Sequence, residues 1–265
     1  STVLPGGSTV PGDFNVSGTL TAAGFTGFTS TGIDDNATSN AITIDASENV
    51  NIATTVATDN RNPAGIHVAA LKGVSFQHYS ANADSRNWRI RTDDNGPWGS
   101  FNISRGTTQT EIPNTAALII TKDGEVTKPS QPCFSATAAT TNIPVTTSTT
   151  VTLSSERFDV GANLTNNIFT APITGKYLFT YIYYISNLDA GHTTFDAHIL
   201  TSNKQYQQTF KPSVFMNSDG NFGVSGSVIA DMDANDTCRY KVYVSGGAAQ
   251  TDIHADSHVS GCLLF

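Results

Sequence analysis

Ile168–Phe179 reads IFTAPITGKYLF, and the chain runs on through TYIYYI to Ile185. Pro172 fixes one backbone dihedral and Gly175 frees another, so the pair makes a turn that feeds a strand from Tyr177. Tyr177 and Phe179 then point the same way, with Phe169 expected beside them on the preceding strand. From Lys176 to Ile185 the alternation differs from that of a one-sided strand, because apolar or aromatic groups occupy both faces. Such a strand is buried on both sides: one side meets its own core and the other meets a partner, since a monomer rarely exposes a patch of that kind. Around it lie further runs of strand length separated by turn residues, among them TTVTLSSERFDV, TFDAHILTS, QTFKPSVF and HVSGCLLF. Short strands at this spacing predict an all-β sandwich or barrel. Apolar residues at helical spacing never persist for three turns.

The totals agree with that class. Charged residues make 14% of the 265, against about 25% in an average chain. Thr, Ser, Asn, Ala and Gly fill the difference, and β-branched Thr, Val and Ile suit strands. The net charge of −8 argues against nucleic acid as a partner, which demands broad positive charge. No apolar stretch is long enough to span a bilayer, so membrane insertion is not expected. Ser1 opens a polar, Gly-rich segment without a leader's apolar run, and residue 1 is not Met, so the chain reads as a fragment or a processed product. Three cysteines, Cys133, Cys238 and Cys262, cannot all pair within one chain. They read first as buried thiols, and no Cys/His spacing suggests zinc.

Period-two alternation also runs through the N-terminal half. FNVSGTL places Phe14, Val16 and Leu20 on one side. AITIDASENVNI reads as strand, turn, strand, and LIITKDGEV repeats its spacing, with Leu118 over Ile42, Ile120 over Ile44 and Val126 over Val50. The second copy carries Asp-Gly in its turn, a hairpin signal. A lone hairpin cannot bury enough surface, so residues 1–60 read as a β shaft or attachment segment that borrows a core from identical chains, with a flexible linker as the alternative, above all over STVLPGGSTVPG. Residues 61–128 read as a small β domain. Within it, NWRIRTDDNGPWGSFNIS predicts a hairpin with Trp88 and Ile90 on an inner face and Arg89 and Arg91 on an outer, basic face. Arg86, Arg89, Arg91 and Arg105 offer an anionic-glycan site, or a solvated face balanced by Asp93 and Asp94. Near Lys128 the composition shifts at KPSQP, which marks a boundary before a third domain, 129–265.

Four blocks of that third domain carry a resemblance. PCFSA (Phe134, Ser135, Ala136) opens it, and IFTAPITGKYLF (Phe169, Ala171, Pro172, Gly175, Tyr177, Phe179) sits in its middle. DANDTCRYKVY follows, and SGCLLF (Ser260, Gly261, Leu263, Leu264) closes it. In this order they resemble the globular-head family of the first complement component, whose jelly roll is shared with tumour necrosis factor. The resemblance implies a jelly-roll knob, first and last strands adjacent at its base, and a homotrimer. Phe134, Phe169, Pro172, Gly175, Tyr177, Phe179, Gly261 and Leu263 would then form the fold and trimer core. Cys133 and Cys262 sit on the two adjacent strands, so a bridge between them becomes an alternative to free thiols. The family's Gly turn is replaced by MDANDT, with Asn235 in the glycine's place; Asn tolerates left-handed backbone. No collagen repeat precedes the head. The low-charge strands upstream are instead similar to tail or capsid fibres of bacteriophages, in which a trimeric shaft carries a terminal knob to the host.

That resemblance implies a receptor-binding fibre at the virion surface or outside the cell. Its partners would be itself as a homotrimer, a host cell-surface glycan or protein at the knob, and other virion proteins at the N-terminus. The receptor site is expected on knob loops remote from the shaft: Asn187, Asp189 and His192 in one loop, Asn217, Asp219 and Asn221 in another, with Tyr206 as an aromatic contact. The loops holding Asp189 and Asp219 also offer the oxygen ligands calcium takes; no other cofactor is indicated. His254 and His258 share strand parity, and three copies around an axis could hold a metal or anion. Three other roles stay open: a purely structural virion component, a glycan-degrading spike, and a non-viral secreted complement-like protein. The spike would need paired carboxylates, for which Asp93/Asp94 and Asp231/Asp233/Asp236 are the candidates. Adjacent carboxylates in such sequence are usually turn formers, so no catalytic residue is assigned.

Overall fold

Nearly every residue described in the computed structural model that lies in a regular element lies in an antiparallel strand. The description covers residues 42–44, 50–52, 74–76, 82–92 and 98–265. The chain divides into two units, Ser1–Val68 and Ala69–Phe265. In the first unit, β1 (Ile42–Ile44) and β2 (Val50–Ile52) form the expected hairpin, with Ile44 opposite Val50 and Ile42 opposite Ile52. The remainder of the expected shaft, including Phe14, Val16 and Leu20, lies outside the described residues, as do Asp93 and Asp94.

The second unit begins with a five-stranded meander: β3 (Val74–Phe76), β4 (Trp88–Thr92), β5 (Phe101–Arg105), β6 (Thr115–Ile120) and β7 (Val126–Thr127), paired in that order. The hairpin of β6 and β7 sets Ile120 opposite Val126, the same register as Ile44 on Val50, and Gly124 takes a left-handed φ of 94° in its turn.

This sheet corrects the sequence reading of its faces. Arg89 and Arg91 are only 7% and 4% exposed, whereas Trp88 is 40% exposed. The basic face is therefore the covered one and the aromatic face is open. The loop from Gly106 to Asn114 accounts for it. Arg89 donates through Nη2 to the Pro113 carbonyl (2.6 Å) and Arg91 to Asn114 Oδ1 (3.2 Å). Asn87 reaches the Gln109 carbonyl (2.8 Å). A guanidinium can be buried where carbonyls converge on its donors, and this loop supplies them.

From β8 the chain builds a sandwich. Its strands are β8 (Cys133–Thr140), β9 (Thr149–Thr150), β10 (Leu153–Val160), β11 (Leu164–Thr165), β12 (Ile168–Thr170), β13 (Gly175–Ser186), β14 (His192–Thr201) and β15 (Gln205–Phe210). A single helical turn, α1 (Pro212–Phe215), precedes β16 (Phe222–Met232), β17 (Thr237–Gly246) and β18 (Asp252–Leu263). One sheet has the order β10-β8-β18-β13-β16; the other runs β11-β12-β17-β14-β15, with β9 on β17. The chain crosses between sheets at almost every step, and the last strand lies beside the first. That is a jelly roll.

The core is aromatic. Phe134, Phe169, Tyr177 and Phe179 are buried. The Phe169 ring stacks on Phe134 at 5.1 Å and meets Tyr177 at 5.6 Å and Phe179 at 5.7 Å. Phe169 belongs to the opposite sheet, so it faces these rings across the sandwich instead of standing beside them. Gly261 passes beneath the cluster: a Cβ there would sit 2.5 Å from Phe134 and 2.6 Å from Phe179. Gly175 likewise lies against Leu263 and the Phe265 carbonyl. Leu263 is buried, whereas Pro172 is exposed and shapes the turn without joining the core.

The cysteines depart from the buried-thiol reading. Cys133 and Cys262 stand opposite each other on β8 and β18 and form a disulfide, which closes a sequence separation of 129. Only Cys238 is free and buried; burial pushes its thiol far above the ordinary range.

Candidate functional site

The β8, β13, β16 and β18 strands run between two ends of the sandwich. At one end Cys133, Gly175, Met232 and Leu263 gather next to residues 128–132, through which the chain enters. At the far end the loops after Ser186 and Gly246 and before Phe222 converge. Leu188 N–H donates to the Gly220 carbonyl (2.9 Å), and Ala248 N–H donates to Asp189 Oδ2 (2.6 Å). The structure thus brings Asn187, Asp189, His192, Asn217, Asp219 and Asn221 to one tip, remote from the entry point.

Most of these side chains are engaged in building the tip. Asp189 also accepts from Gly191 N–H (2.7 Å). These two backbone donors, Gly191 first, hold its carboxyl below the usual range. With both oxygens so used, Asp189 makes a poor start for a calcium site, and the described residues contain no cluster of three metal-ligating side chains. His192 is buried; its Nδ1 is 2.6 Å from the Gly246 carbonyl and its Nε2 2.7 Å from Thr251 Oγ1. Asn187 adopts a left-handed φ of 55° and donates to Asp252 Oδ2 (2.7 Å). Asn217 Oδ1 accepts from the backbone of Asp219 and of Asn221. Of this group Asp219 is exposed and Asn221 half-buried, and neither side chain is taken up in closing a loop.

Beside them stand two residues the sequence reading passed over. Val214 and Phe215, on the turn of α1, are exposed apolar groups. The Phe215 ring is anchored edge-on against Phe210 at 5.9 Å, which in turn meets Phe222 at 5.9 Å. An apolar pair between two turn formers, as in KPSVFMNSDG, was the available signal.

Tyr206 does not join the tip. It pairs with Ile199 on edge strand β15, with Lys204 Nζ 5.3 Å from its ring centroid. It lines a small open cleft between β15 and β16 with Tyr181, Gln208 and Ser227. There the Tyr181 hydroxyl donates to Gln208 Oε1 (2.5 Å), and burial pushes that hydroxyl up to about 12.

The other candidates are absorbed by local structure. Asp236 accepts from Ser202 Oγ and Asn203 Nδ2 (both 2.6 Å) and from Asp233 N–H (2.8 Å). The Ser202 hydroxyl leads in holding its carboxyl below the ordinary range. Asp231 pairs with Lys176 at 2.5 Å. Asn235 takes a φ of 74°, as a glycine substitute must. Arg86 turns back to the Ala83 and Ser85 carbonyls, and Arg105 to that of Gly106. His254 sits within an irregularity of β18 between Ile253 and Ser257, against Tyr184. His258 has Arg157 at 3.4 Å.

The outer surface of the β10-β8-β18-β13-β16 sheet is left uncommitted by the knob. Register places Val160, Cys133, Cys262, Leu178 and Ile229 in one row across all five strands. Thr180 and Ser260 follow, hydrogen-bonded at 2.7 Å, and then Ile182. Ile182, Ile229, Tyr184 and Phe158 are exposed. The two-sided character of TYIYYI is thus realised: Tyr177, Phe179, Tyr181, Tyr183 and Ile185 face in, while Leu178, Ile182 and Tyr184 face out.

No known family profile matches the sequence, and no curated protein matches it. Among solved structures it is similar to the globular domain of zebrafish complement 1qA protein, at 15% identity and a TM-score of 0.39, covering 51% of this chain and 98% of that one. Murine APRIL follows at 9% identity and 0.37, covering 51% and 99%. A PRD1 vertex protein matches at 12% identity and 0.36, again covering 51% and 99%. Among the described residues no helix is long and apolar enough to cross a membrane.

Proposed function

We propose that this chain is a homotrimeric, non-catalytic fibre protein of a virion, exposed outside the host cell, which binds a host-surface glycan through the tip of its knob. Residues 1–60 would serve as shaft and attachment to other virion proteins, 61–128 as a small spacer domain and 129–265 as the knob. The observation that carries the reading is the outer face of the β13 sheet. Leu178, Ile182, Tyr184 and Ile229 form an apolar surface on a domain whose own core is already complete, and copies of the chain are its simplest cover. The tip then points away from the entry point of each chain. It offers an aromatic ring (Phe215), an amide (Asn221) and a carboxylate (Asp219), the groups with which proteins stack on and hydrogen-bond to sugars. Weak contacts repeated three times gain strength by avidity.

A purely structural role in the particle is the second reading. It is favoured by the number of tip side chains already engaged in closing loops. Labelled soluble protein on host cells separates the two: binding lost on Phe215→Ala with Asn221→Ala supports the receptor role. Failure of the wild type to bind cells or to compete with virus supports the structural one.

A further inference from the structure

The inverted sheet of residues 74–127 asks for a cover. Cross-strand pairing places Phe76 beside Trp88, Ile90 beside Ile103, and Phe101 beside Ile120, which is itself opposite Val126. All lie on one face. Phe76 is 56% exposed, Trp88 40%, Phe101 39% and Val126 57%. With whole aromatic side chains presenting about 150–250 Å², these four alone leave on the order of 300–400 Å² of apolar surface in water, the scale at which a patch marks an interface. The chain has covered the other face with its own Gly106–Asn114 loop, over arginines and amides. The face left open is the one water tolerates least.

We infer that this face is a contact between copies of the chain, so that assembly involves the middle sheet as well as the knob. The inference rests on the oligomeric part of the reading above. Two observations point to a copy and not to a foreign protein. The first is continuity. Val126, at the edge of the open face, lines one hollow with Lys128, Cys133, Val160 and Cys262, and the last three are the start of the knob's outward apolar row. A single strip therefore runs from the middle sheet onto the knob. The second is charge. In a chain of net charge −8, the charges along this strip are few: Arg105 opposite Trp88, Lys128, Arg157 near His258, the mutually neutralised pair Lys176 and Asp231, and Asp256 beside His254 at the far end. Residues close to a symmetry axis lie near their own equivalents, so like charges there would repel, whereas neutral residues pack.

The test uses the full chain. Mass photometry and light scattering from nanomolar to micromolar compare the wild type, Trp88→Glu with Phe101→Glu, and the control Ile112→Glu. Ile112 is 69% exposed but lies on the covering loop. The double variant is expected to dissociate at concentrations about 100-fold higher or more, as loss of central aromatic anchors does; the control should match the wild type. A wild type that is monomeric throughout removes the oligomeric reading and this inference with it. A double variant as tightly assembled as the wild type overturns this inference alone. A second measurement avoids charge at the face altogether. In Trp98→Phe, Trp88 is the sole tryptophan, and its quenching by iodide should fall several-fold on assembly. Equal quenching in dilute and assembled protein overturns the contact. Protection even in the dilute monomer assigns the cover to another part of the same chain, which overturns it equally.

Discussion

A methyl group added at Gly261 would sit 2.5–2.7 Å from atoms of Phe134 and Phe179, closer than real carbon contacts come. Overpacking of this kind costs about 1–3 kcal/mol. Gly261→Ala is therefore expected to lower the denaturant midpoint without changing its slope, and an unchanged midpoint would show that the ring cluster is loosely packed. On the outward side of β14, the side chains of Asp196 and His198 are buried, and His198 has no good hydrogen bond to either ring nitrogen. Burial depresses the His198 pKa, with Lys241 acting in the same direction; Asp196 and Gln207 only partly oppose this. A folded pKa below the unfolded value of about 6.5 means that the unfolded chain binds the proton more readily. His198 thus contributes full stability above about pH 6.5 and loses it as pH falls through the depressed folded value. Melting temperatures measured from neutral to acidic pH should drop less for His198→Gln than for the wild type; parallel curves would remove His198 from the acid response. Residue choices such as Gly261 and Asn235 were legible in the sequence, because sterics at a close approach or a left-handed turn leave few residue types that fit.

At the scale of the element, the bridge between β8 and β18 ties the first strand of the knob to its last. Closing so long a segment removes conformational freedom from the unfolded chain, worth about 2–4 kcal/mol in typical cases. Thiol titration in denaturant without reductant should find one free thiol per chain, Cys238; three would refute the bridge. Reduction should then lower the unfolding midpoint. The β13 strand and its core-facing side were readable from sequence, and Tyr177, Phe179, Tyr181 and Tyr183 do face in, while Ile182 and Tyr184 stay exposed on the side for which the sequence implied a partner. The strand Trp88–Thr92 was readable as a strand and misread in orientation. Alternation establishes that two faces differ, but not which one is covered. The arginine face became the inner one because residues 22 to 24 positions further along the chain brought carbonyls to it, and no local pattern records that. The tip shows the same limit. Asn187, Asp189, Asn217 and Asp219 were recognisable as loop residues, while their mutual hydrogen bonds and the exposure of Phe215 depend on how separate loops meet.

At the scale of the molecule, two apolar faces among the described residues are left to water by a single chain, one on the knob and one on the middle sheet, and they join in one strip. Both the proposed avidity and the placement of the tip follow from covering that strip with further copies. Leu178→Asp, in the knob row, should weaken assembly while the isolated chain keeps its far-ultraviolet spectrum; a variant that assembles as the wild type does would remove the knob face from the contact. Phe215→Ala should do the reverse, leaving the mass unchanged and lowering attachment to host cells several-fold. The most direct test of the account is the native mass of the purified full-length chain at nanomolar concentration. A stable species at three times the chain mass of 28.0 kDa is the predicted result. A species at 28.0 kDa at every concentration would contradict it, because the outward faces of both sheets would then stand in water without a cover.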